Sequence, residues 1–142
     1  EGDRPRPPHA LRPRAGDQGA VKAKSPARLA AEKRGRQGER IAAWWLRLKG
    51  WHILARRVRT RAGEIDLIAR RGKLVIFVEV KARATPAELD FAIDEHRLSR
   101  VAAAAESVAH DYIHAGDDMQ IDVILLAPGH MPRHVSNVWM GG

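Results

Sequence analysis

Charged side chains stand among apolar residues in GEIDLIARRGKLVIFVEVKAR, which covers residues 63–83. The charges that could do chemistry are those of Glu64, Asp66, Glu79 and Lys81. A charge inside a core costs several kcal/mol unless it is paired or bound to a metal. Because apolar, β-branched runs flank a basic turn, this stretch predicts a hairpin of strands 64–69 and 74–81. The charges therefore either decorate its surface or form a reaction centre.

Pairing of these strands through a turn at 70–73 brings Asp66 opposite or diagonal to Glu79. Cross-strand neighbours on one face are about 5–8 Å apart, so the two carboxylates can share one divalent cation. Mg²⁺ takes one or two carboxylates, neutralises phosphate charge and makes water nucleophilic at neutral pH. Lys81 follows Glu79 by two residues and can orient that water or stabilise developing charge. The pattern favours metal-dependent phosphodiester hydrolysis.

The two-residue period of strands predicts a two-sided hairpin. Ile65 and Leu67 are expected on one face of the first strand, and Asp66 on the other. On the second strand, Glu79 is expected to share its face with Phe77. One face then packs the sheet, and the other is left for the metal site.

The rest of the chain must supply the elements that position this hairpin. Before the hairpin we predict a helix at 28–49 and a strand at 51–60. The helix ends at Gly50, and an interruption near Gly35 or Gly38 is left open. After the hairpin we predict an irregular segment at 82–95, an amphipathic helix at 97–114, an apolar strand at 120–127 and a weaker edge strand at 133–140. This order predicts an α/β domain with a mixed central β-sheet flanked by helices.

Composition excludes several classes of protein. At 142 residues the chain suits one domain, and its lack of cysteine rules out a disulfide framework, a thiolate nucleophile and a zinc–thiolate site. The longest apolar run, residues 74–78, is far shorter than the roughly 20 residues that span a bilayer. No segment has the apolar middle of a secretory signal. We therefore expect a cytoplasmic protein without a membrane span.

The net charge of +8 is concentrated before residue 39, where ten Lys/Arg stand against four Asp/Glu. Five of the eight prolines lie in residues 1–26. Such a segment cannot bury enough apolar surface to offset its ordering entropy. We therefore predict a disordered basic tail at 1–26 and a folded domain at 27–142. The tail suits a non-specific polyanion tether or a merely solubilising extension equally well.

A second basic cluster lies in the predicted strand 51–60 and the turn after it. The strand period places Arg57, Arg59 and Arg61 on one face. That arrangement suits a surface that follows a phosphate backbone, although a sheet edge kept soluble by charge is the alternative. The tryptophans at positions 44, 45, 51 and 139 are interpreted as core residues or as hydrophobic staples at helix ends, rather than as base-stacking platforms.

The motifs resemble a known group of proteins. Asp66, followed after twelve residues by Glu79-Val80-Lys81, resembles the motif of the PD-(D/E)XK nuclease superfamily. More narrowly, four segments between Gly38 and Trp139 are similar to the YraN-like family of small endonuclease-like proteins: Gly38-Glu39, GEIDLIA at 63–69, FVEVKAR at 77–83 and IDVILL at 121–126. The resemblance implies a restriction-endonuclease-like α-β-β-β-α-β core and a nuclease-like domain over 27–142.

The resemblance also implies roles for individual residues. Asp66 and Glu79 would hold Mg²⁺ or Mn²⁺, with the Val80 carbonyl as a third ligand, and Lys81 would be the catalytic lysine. Glu39 would be an auxiliary acid, although an acid near a helix N-terminus also simply complements the helix dipole. Arg83 matches a basic motif position that would contact phosphate.

Two departures from the family pattern stand out. Arg97, which we predict to contact nucleic acid, replaces a lysine near the start of the second long helix, and the segment after the hairpin lacks the usual glycine. The resemblance implies an endonuclease that selects DNA by its structure rather than by its base sequence. Branched DNA and single-stranded DNA are both compatible substrates. The alternative is a non-catalytic or partner-dependent nucleic-acid-binding module on the same fold. Monomer and homodimer are both compatible with the sequence.

Overall fold

A computed structural model describes residues 25–89 and 92–139 of the chain. The chain separates into one compact unit that ends at Ala31 and a second that begins at Glu32. Of the first unit only residues 25–31 are described, and they are helical from Pro26 onward. The predicted disordered tail lies outside the described residues except for Ser25 and Pro26, and it stays a prediction.

One mixed sheet organises the second unit. The elements in chain order are α1 (Pro26–Leu48), β1 (His52–Arg59), β2 (Glu64–Arg71), β3 (Leu74–Ala82), α2 (Pro86–Leu89), α3 (Glu95–Tyr112), β4 (Asp118–Leu126) and β5 (Arg133–Val135). The strands are ordered β1-β2-β3-β4-β5, and neighbours are antiparallel except for the parallel pair β3 and β4. The predicted α/β class with a mixed sheet and flanking helices is confirmed.

Two predicted boundaries are wrong, and an interruption of the first helix, which the sequence left open, does not occur. The first helix continues through Gly35 and Gly38 without interruption. The segment predicted to be irregular contains α2 and the beginning of α3. The final strand stops at Val135 because Asn137 adopts a left-handed φ of 53° and its N–H donates to Asp122 Oδ1 at 2.8 Å. A side chain thus takes the hydrogen bond that a sheet neighbour would otherwise provide.

The sheet separates two apolar cores. On the α1 side, helix residues such as Leu46 pack against Ile76 and Val78 of β3. On the α3 side, Phe77 of β3 packs with the helix residues around Val101. Both faces of the central strand are therefore buried, and the prediction that one face of the hairpin is left for the metal site is wrong. Any site on this hairpin must lie at the end of the strands, where the cover stops.

The strand period also breaks on β2. Ile65 packs in the α3-side core, whereas Leu67 packs in the α1-side core. Regular alternation would have kept them on the same face, as predicted. The change of side therefore occurs between Ile65 and Leu67, the two residues that flank Asp66.

The tryptophans divide between core and surface. Trp51 is 5% exposed, and Trp139 packs against the α3-side core. Trp45 lies under the ammonium of Lys49, whose Nζ is 4.5 Å from the ring centroid. Trp44 is 63% exposed, so its assignment to the core is wrong. None of the described helices has both the length and the apolar character needed to cross a membrane.

Two glycines permit close packing of the helices on the sheet. A Cβ on Gly63 would lie 2.9 Å from the carbonyl oxygen of Arg100 in α3, which is closer than real contacts allow. A Cβ on Gly38 of α1 would lie 3.4 Å from the Ala82 Cβ and 3.5 Å from Leu126 Cδ1. The first position has no room for a methyl group, whereas the second accepts one in ordinary van der Waals contact.

Alanine substitution at these two glycines is expected to have opposite effects. Gly63→Ala should lower the free energy of unfolding by about 1–3 kcal/mol, because α3 must move away from the turn. Gly38→Ala should leave it unchanged or raise it by up to about 1 kcal/mol, since alanine favours the helix. Urea denaturation followed by circular dichroism measures both. Equal losses at the two sites would contradict the packing described for α1 and α3.

Candidate metal centre

Asp66 lies where the β2–β3 ladder ends. Paired residues run from Arg71 opposite Leu74 to Leu67 opposite Val78, and Asp66 and Glu79 are the next residues of the two strands beyond the last observed pair. There the carboxylate replaces the backbone partner, because Asp66 Oδ2 accepts the N–H of Val80 at 2.7 Å. This bond fixes the half-buried Asp66 beside the end of β3.

Glu79 is the buried member of the pair, with 1% of its surface exposed. Its Oε1 accepts a hydrogen bond from Arg97 Nε at 2.7 Å and lies 3.3 Å from Lys81 Nζ. Its Oε2 is buried and has no hydrogen-bond partner among the described residues. Because a buried polar atom without a partner is costly, this oxygen marks a position where a ligand would be stabilised.

Proximity of the two acids changes the ionisation of Asp66. Burial, and after it the charge of Glu79, raises the pKa of Asp66 to about 7, against the opposing effect of the Val80 N–H. A divalent cation bound beside Asp66 would favour its ionised form and so offset this rise of its pKa. Without a bound cation, the ionised form of Asp66 is therefore destabilised.

The donor set fits a hard divalent cation. Within residues 25–89 and 92–139 no three His, Cys, Asp or Glu side chains converge in a way that could hold a metal. Mg²⁺ and Mn²⁺ sites can nevertheless be built from one or two carboxylates completed by water and substrate oxygens. Asp66 and the unpartnered Oε2 of Glu79 supply such a pair. The Val80 carbonyl as a third ligand stays a prediction.

Glu39 approaches this site from α1. Its Oε2 accepts a hydrogen bond from Arg57 Nε at 2.5 Å, and its charge contributes to the raised pKa of Asp66. Glu39 lies well inside a helix that begins at Pro26, so the alternative that it complements the dipole at the helix N-terminus is wrong. Its place beside Asp66 fits the auxiliary acid that the resemblance implies.

Arg97 and Lys81 bring positive charge to the carboxylates. Arg97 lies in the first turn of α3, behind an N-cap formed by Asp94, whose side chain accepts the N–H of His96. Lys81 is 14% exposed and Arg97 is 52% exposed, so the guanidinium reaches solvent while it binds Glu79. The sequence suggested Arg97 only as a nucleic-acid contact and missed its bond to Glu79, because the two residues are 18 positions apart.

The predicted arginine face does not form. Arg57 adopts a left-handed φ of 50°, and Arg56 and Arg57 are both exposed, so the alternation of β1 breaks there. Arg57 turns to Glu39, whereas Arg59 and Arg61 lie exposed outside the site. Arg83, after the end of β3, is partly buried and donates to the Ala82 carbonyl at 2.9 Å. The phosphate contacts assigned to these arginines stay predictions.

Asp122 has a structural explanation on the other face of the sheet. It is fully buried, and its carboxylate is bound by His134 Nε2 at 2.6 Å, Gln120 Nε2 at 2.9 Å and the N–H of Asn137 at 2.8 Å. From the sequence, where Asp122 stands among apolar residues of 121–126, it is expected either to fix a strand end or to pair with an arginine. The partner is a histidine, and the contact ties β5 to β4.

The stability of the metal-free protein is expected to fall as the pH rises from about 4 to about 7. Over this range the unfolded chain loses the proton of Asp66, whose ordinary pKa is 3.8, while the folded protein keeps it. The pKa difference corresponds to at most about 4 kcal/mol. Denaturation in EDTA across this range, compared with Asp66→Asn, isolates the contribution. An identical pH dependence in both proteins would contradict the raised pKa.

Sequence comparisons give a consistent set of relatives. The model of "Uncharacterised protein family UPF0102" matches residues 38–126. A UPF0102 protein of Erythrobacter litoralis (strain HTCC2594) is 70% identical over 112 residues, which cover 79% of this chain and 97% of that protein. A UPF0102 protein of Sphingopyxis alaskensis is 58% identical with the same coverage. One from Rhodopseudomonas palustris is 46% identical over 110 residues, or 77% of this chain and 85% of that protein.

Proposed function

Because the chain belongs to the UPF0102 family, the YraN-like group that its motifs resemble, we propose that it is a metal-dependent endonuclease that hydrolyses phosphodiester bonds in DNA. The observation that carries the proposal is the buried Oε2 of Glu79, which has no hydrogen-bond partner in the described part of the chain, together with the raised pKa of about 7 at Asp66, to which the charge of Glu79 contributes. A solvated surface ion pair would have neither property. Asp66 and Glu79 would hold Mg²⁺ or Mn²⁺.

Each side chain of the site has a distinct task in this proposal. The cation, when bound, neutralises phosphate charge and activates water. Lys81, held within 3.3 Å of Glu79, orients the attacking water or donates to the phosphate as its charge grows. Arg97 compensates the negative charge of Glu79, and its side chain stays partly exposed to solvent while it makes this contact. Glu39, fixed by Arg57, adds a further acid beside Asp66.

Recognition in this proposal depends on the DNA backbone. Exposed arginines, among them Arg59 and Arg61, suit contacts with phosphate, which position a protein on DNA but do not distinguish bases. Selection by the shape of the DNA follows from such contacts. A net charge of +8 favours association with a polyanion and makes the affinity depend on salt.

Cleavage of labelled DNA tests the proposal. Purified protein is incubated with flap, junction, single-stranded and duplex DNA in Mg²⁺, Mn²⁺ or EDTA, beside Asp66→Ala. We expect the wild type to cleave only with metal, and Asp66→Ala not to cleave. Glu106→Gln, which changes an exposed acid on α3, should cleave like the wild type. Equal cleavage by wild type and Asp66→Ala would overturn the proposal, and binding without cleavage would favour the non-catalytic module.

A further inference from the structure

A groove of about 490 Å³ lies at the carboxyl ends of β3 and β4. Its walls come from α1, from the residues that follow Lys81 on β3, and from the loop between β4 and β5. The side chains that line it include those of Arg34, Ile41, Arg83, Pro128 and His130. This volume falls within the roughly 300–1,000 Å³ of small-molecule sites. The carboxyl ends of parallel strands are also where α/β folds commonly bind ligands.

The lining combines an apolar floor with a basic rim. Ile41, which is 52% exposed, and Pro128 offer apolar surface, while Arg34, Arg83 and His130 offer positive or protonatable groups. Among the described residues that line the groove there is no aspartate or glutamate. The occupant that matches this chemistry carries a flat apolar part and a negative charge, as a nucleotide does with its base and phosphate.

The groove and the candidate metal centre lie at the same end of β3, but on opposite faces of the sheet. Ala82 and Leu126 of the groove belong to the α1-side core, whereas Glu79 contacts Arg97 of α3. Lys81 and Ala82 are consecutive on β3, so the strand period directs their side chains to the two faces. A DNA strand with a phosphate at Lys81 therefore reaches the groove by passing around the end of β3.

We propose that this groove holds one unstacked nucleotide of the DNA strand, so that substrates with single-stranded or extrahelical bases are preferred. The inference rests on the proposed function and specifies its substrate. A base inside a regular duplex is stacked on both sides and must leave the stack before it can enter a protein pocket. A base that is already unpaired enters without that cost. Ile41 provides the apolar contact, and Arg34 with Arg83 provides the charge for the adjoining phosphate.

Fluorescent oligonucleotides test the groove independently of cleavage. The full chain is titrated in EDTA with a duplex that carries one extrahelical 2-aminopurine and with the fully paired duplex of the same length. We expect at least about tenfold tighter binding of the bulged DNA and a change in 2-aminopurine emission. Equal affinity for the two duplexes would overturn the inference.

Variants on the exposed surface of α1 assign the preference to the groove. Arg34→Ala and Ile41→Ala should each reduce the preference for bulged DNA severalfold. Their side chains lie at the surface, so circular dichroism should show an intact fold. Arg36→Ala and Leu48→Ala are matched controls, since both residues are exposed on the same helix but outside the lining. Equal losses in the control variants would overturn the assignment.

The same oligonucleotides separate this inference from the proposed function. A preference for bulged DNA in EDTA without any cleavage in Mg²⁺ or Mn²⁺ would support the groove and contradict the nuclease. Cleavage that depends on Asp66 but does not distinguish bulged from paired DNA would support the nuclease and overturn the groove. Displacement of bulged DNA by a deoxynucleoside monophosphate, but not by the nucleoside, would support a joint site for base and phosphate.

Discussion

Replacement of Asp66 by asparagine is expected to abolish metal-dependent cleavage and, at the same time, to stabilise the metal-free protein. The side chain keeps its shape and can still accept the N–H of Val80, but it no longer adds negative charge beside Glu79. Cleavage should fall by at least about 10³-fold. At pH 8 the free energy of unfolding in EDTA should rise by up to about 4 kcal/mol. Initial cleavage rates and urea denaturation measure the two effects.

Asp117→Asn is the matched control. Asp117 accepts a hydrogen bond from Arg70 at 2.8 Å, and this bond, together with the N–H of His114, lowers its pKa to about 2. Its ionised form therefore stabilises the fold, so the substitution should reduce stability above the ordinary pKa of 3.8 and leave cleavage intact. Asp66→Asn should therefore raise the free energy of unfolding, whereas Asp117→Asn should lower it. This difference in sign distinguishes the functional site from a structural ion pair. Loss of stability in Asp66→Asn would contradict this account.

Replacement of Lys81 by methionine is expected to lower the rate of cleavage by about 10²–10³-fold without loss of metal binding. The ammonium is nearly buried and lies 3.3 Å from Oε1 of Glu79. Its removal withdraws a positive charge from the reacting phosphate, but it leaves both carboxylates in place. The effect should fall on kcat rather than on KM, because the interaction strengthens as charge develops. Single-turnover cleavage in Mn²⁺ measures it.

Lys73→Met serves as the control for a general loss of positive charge. Lys73 is exposed in the turn between β2 and β3, far along the hairpin from Lys81. The Lys73→Met substitution should reduce cleavage only because it weakens the salt-dependent binding of DNA. Equal losses of kcat in the two variants, or a loss of Mn²⁺ binding in Lys81→Met, would argue against a catalytic lysine.

The central pair of acids could be predicted from sequence because a tight hairpin fixes its own register. Once the turn at 70–73 is placed, Asp66 is expected opposite or diagonal to Glu79, and the observed pairing runs as far as Leu67 opposite Val78, the residues that precede this position. The fold class could be predicted for a similar reason, since the elements alternate clearly along the chain. Local pattern was sufficient for both.

The surroundings of the pair could not be predicted, because they depend on contacts between distant residues. The left-handed backbone of Arg57 directs this arginine to Glu39 on α1, 18 positions away. A strict strand period placed Arg57 with Arg59 instead. Likewise, both faces of β3 are covered by helices, which a two-sided hairpin did not anticipate. Glu79 is buried because helices cover both faces of β3. In this buried position its Oε2 has no hydrogen-bond partner among the residues that the structure describes.

The central claim is that Asp66 and Glu79 together hold one divalent cation. Titration of Mn²⁺ into the protein at pH 8, with free Mn²⁺ followed by electron paramagnetic resonance, tests it without any assumption about substrate. We expect one Mn²⁺ per chain in the wild type and in Lys81→Met. In Asp66→Asn and Glu79→Gln the affinity should be at least about tenfold weaker. Wild-type affinity for Mn²⁺ in a protein that carries both substitutions would contradict the claim.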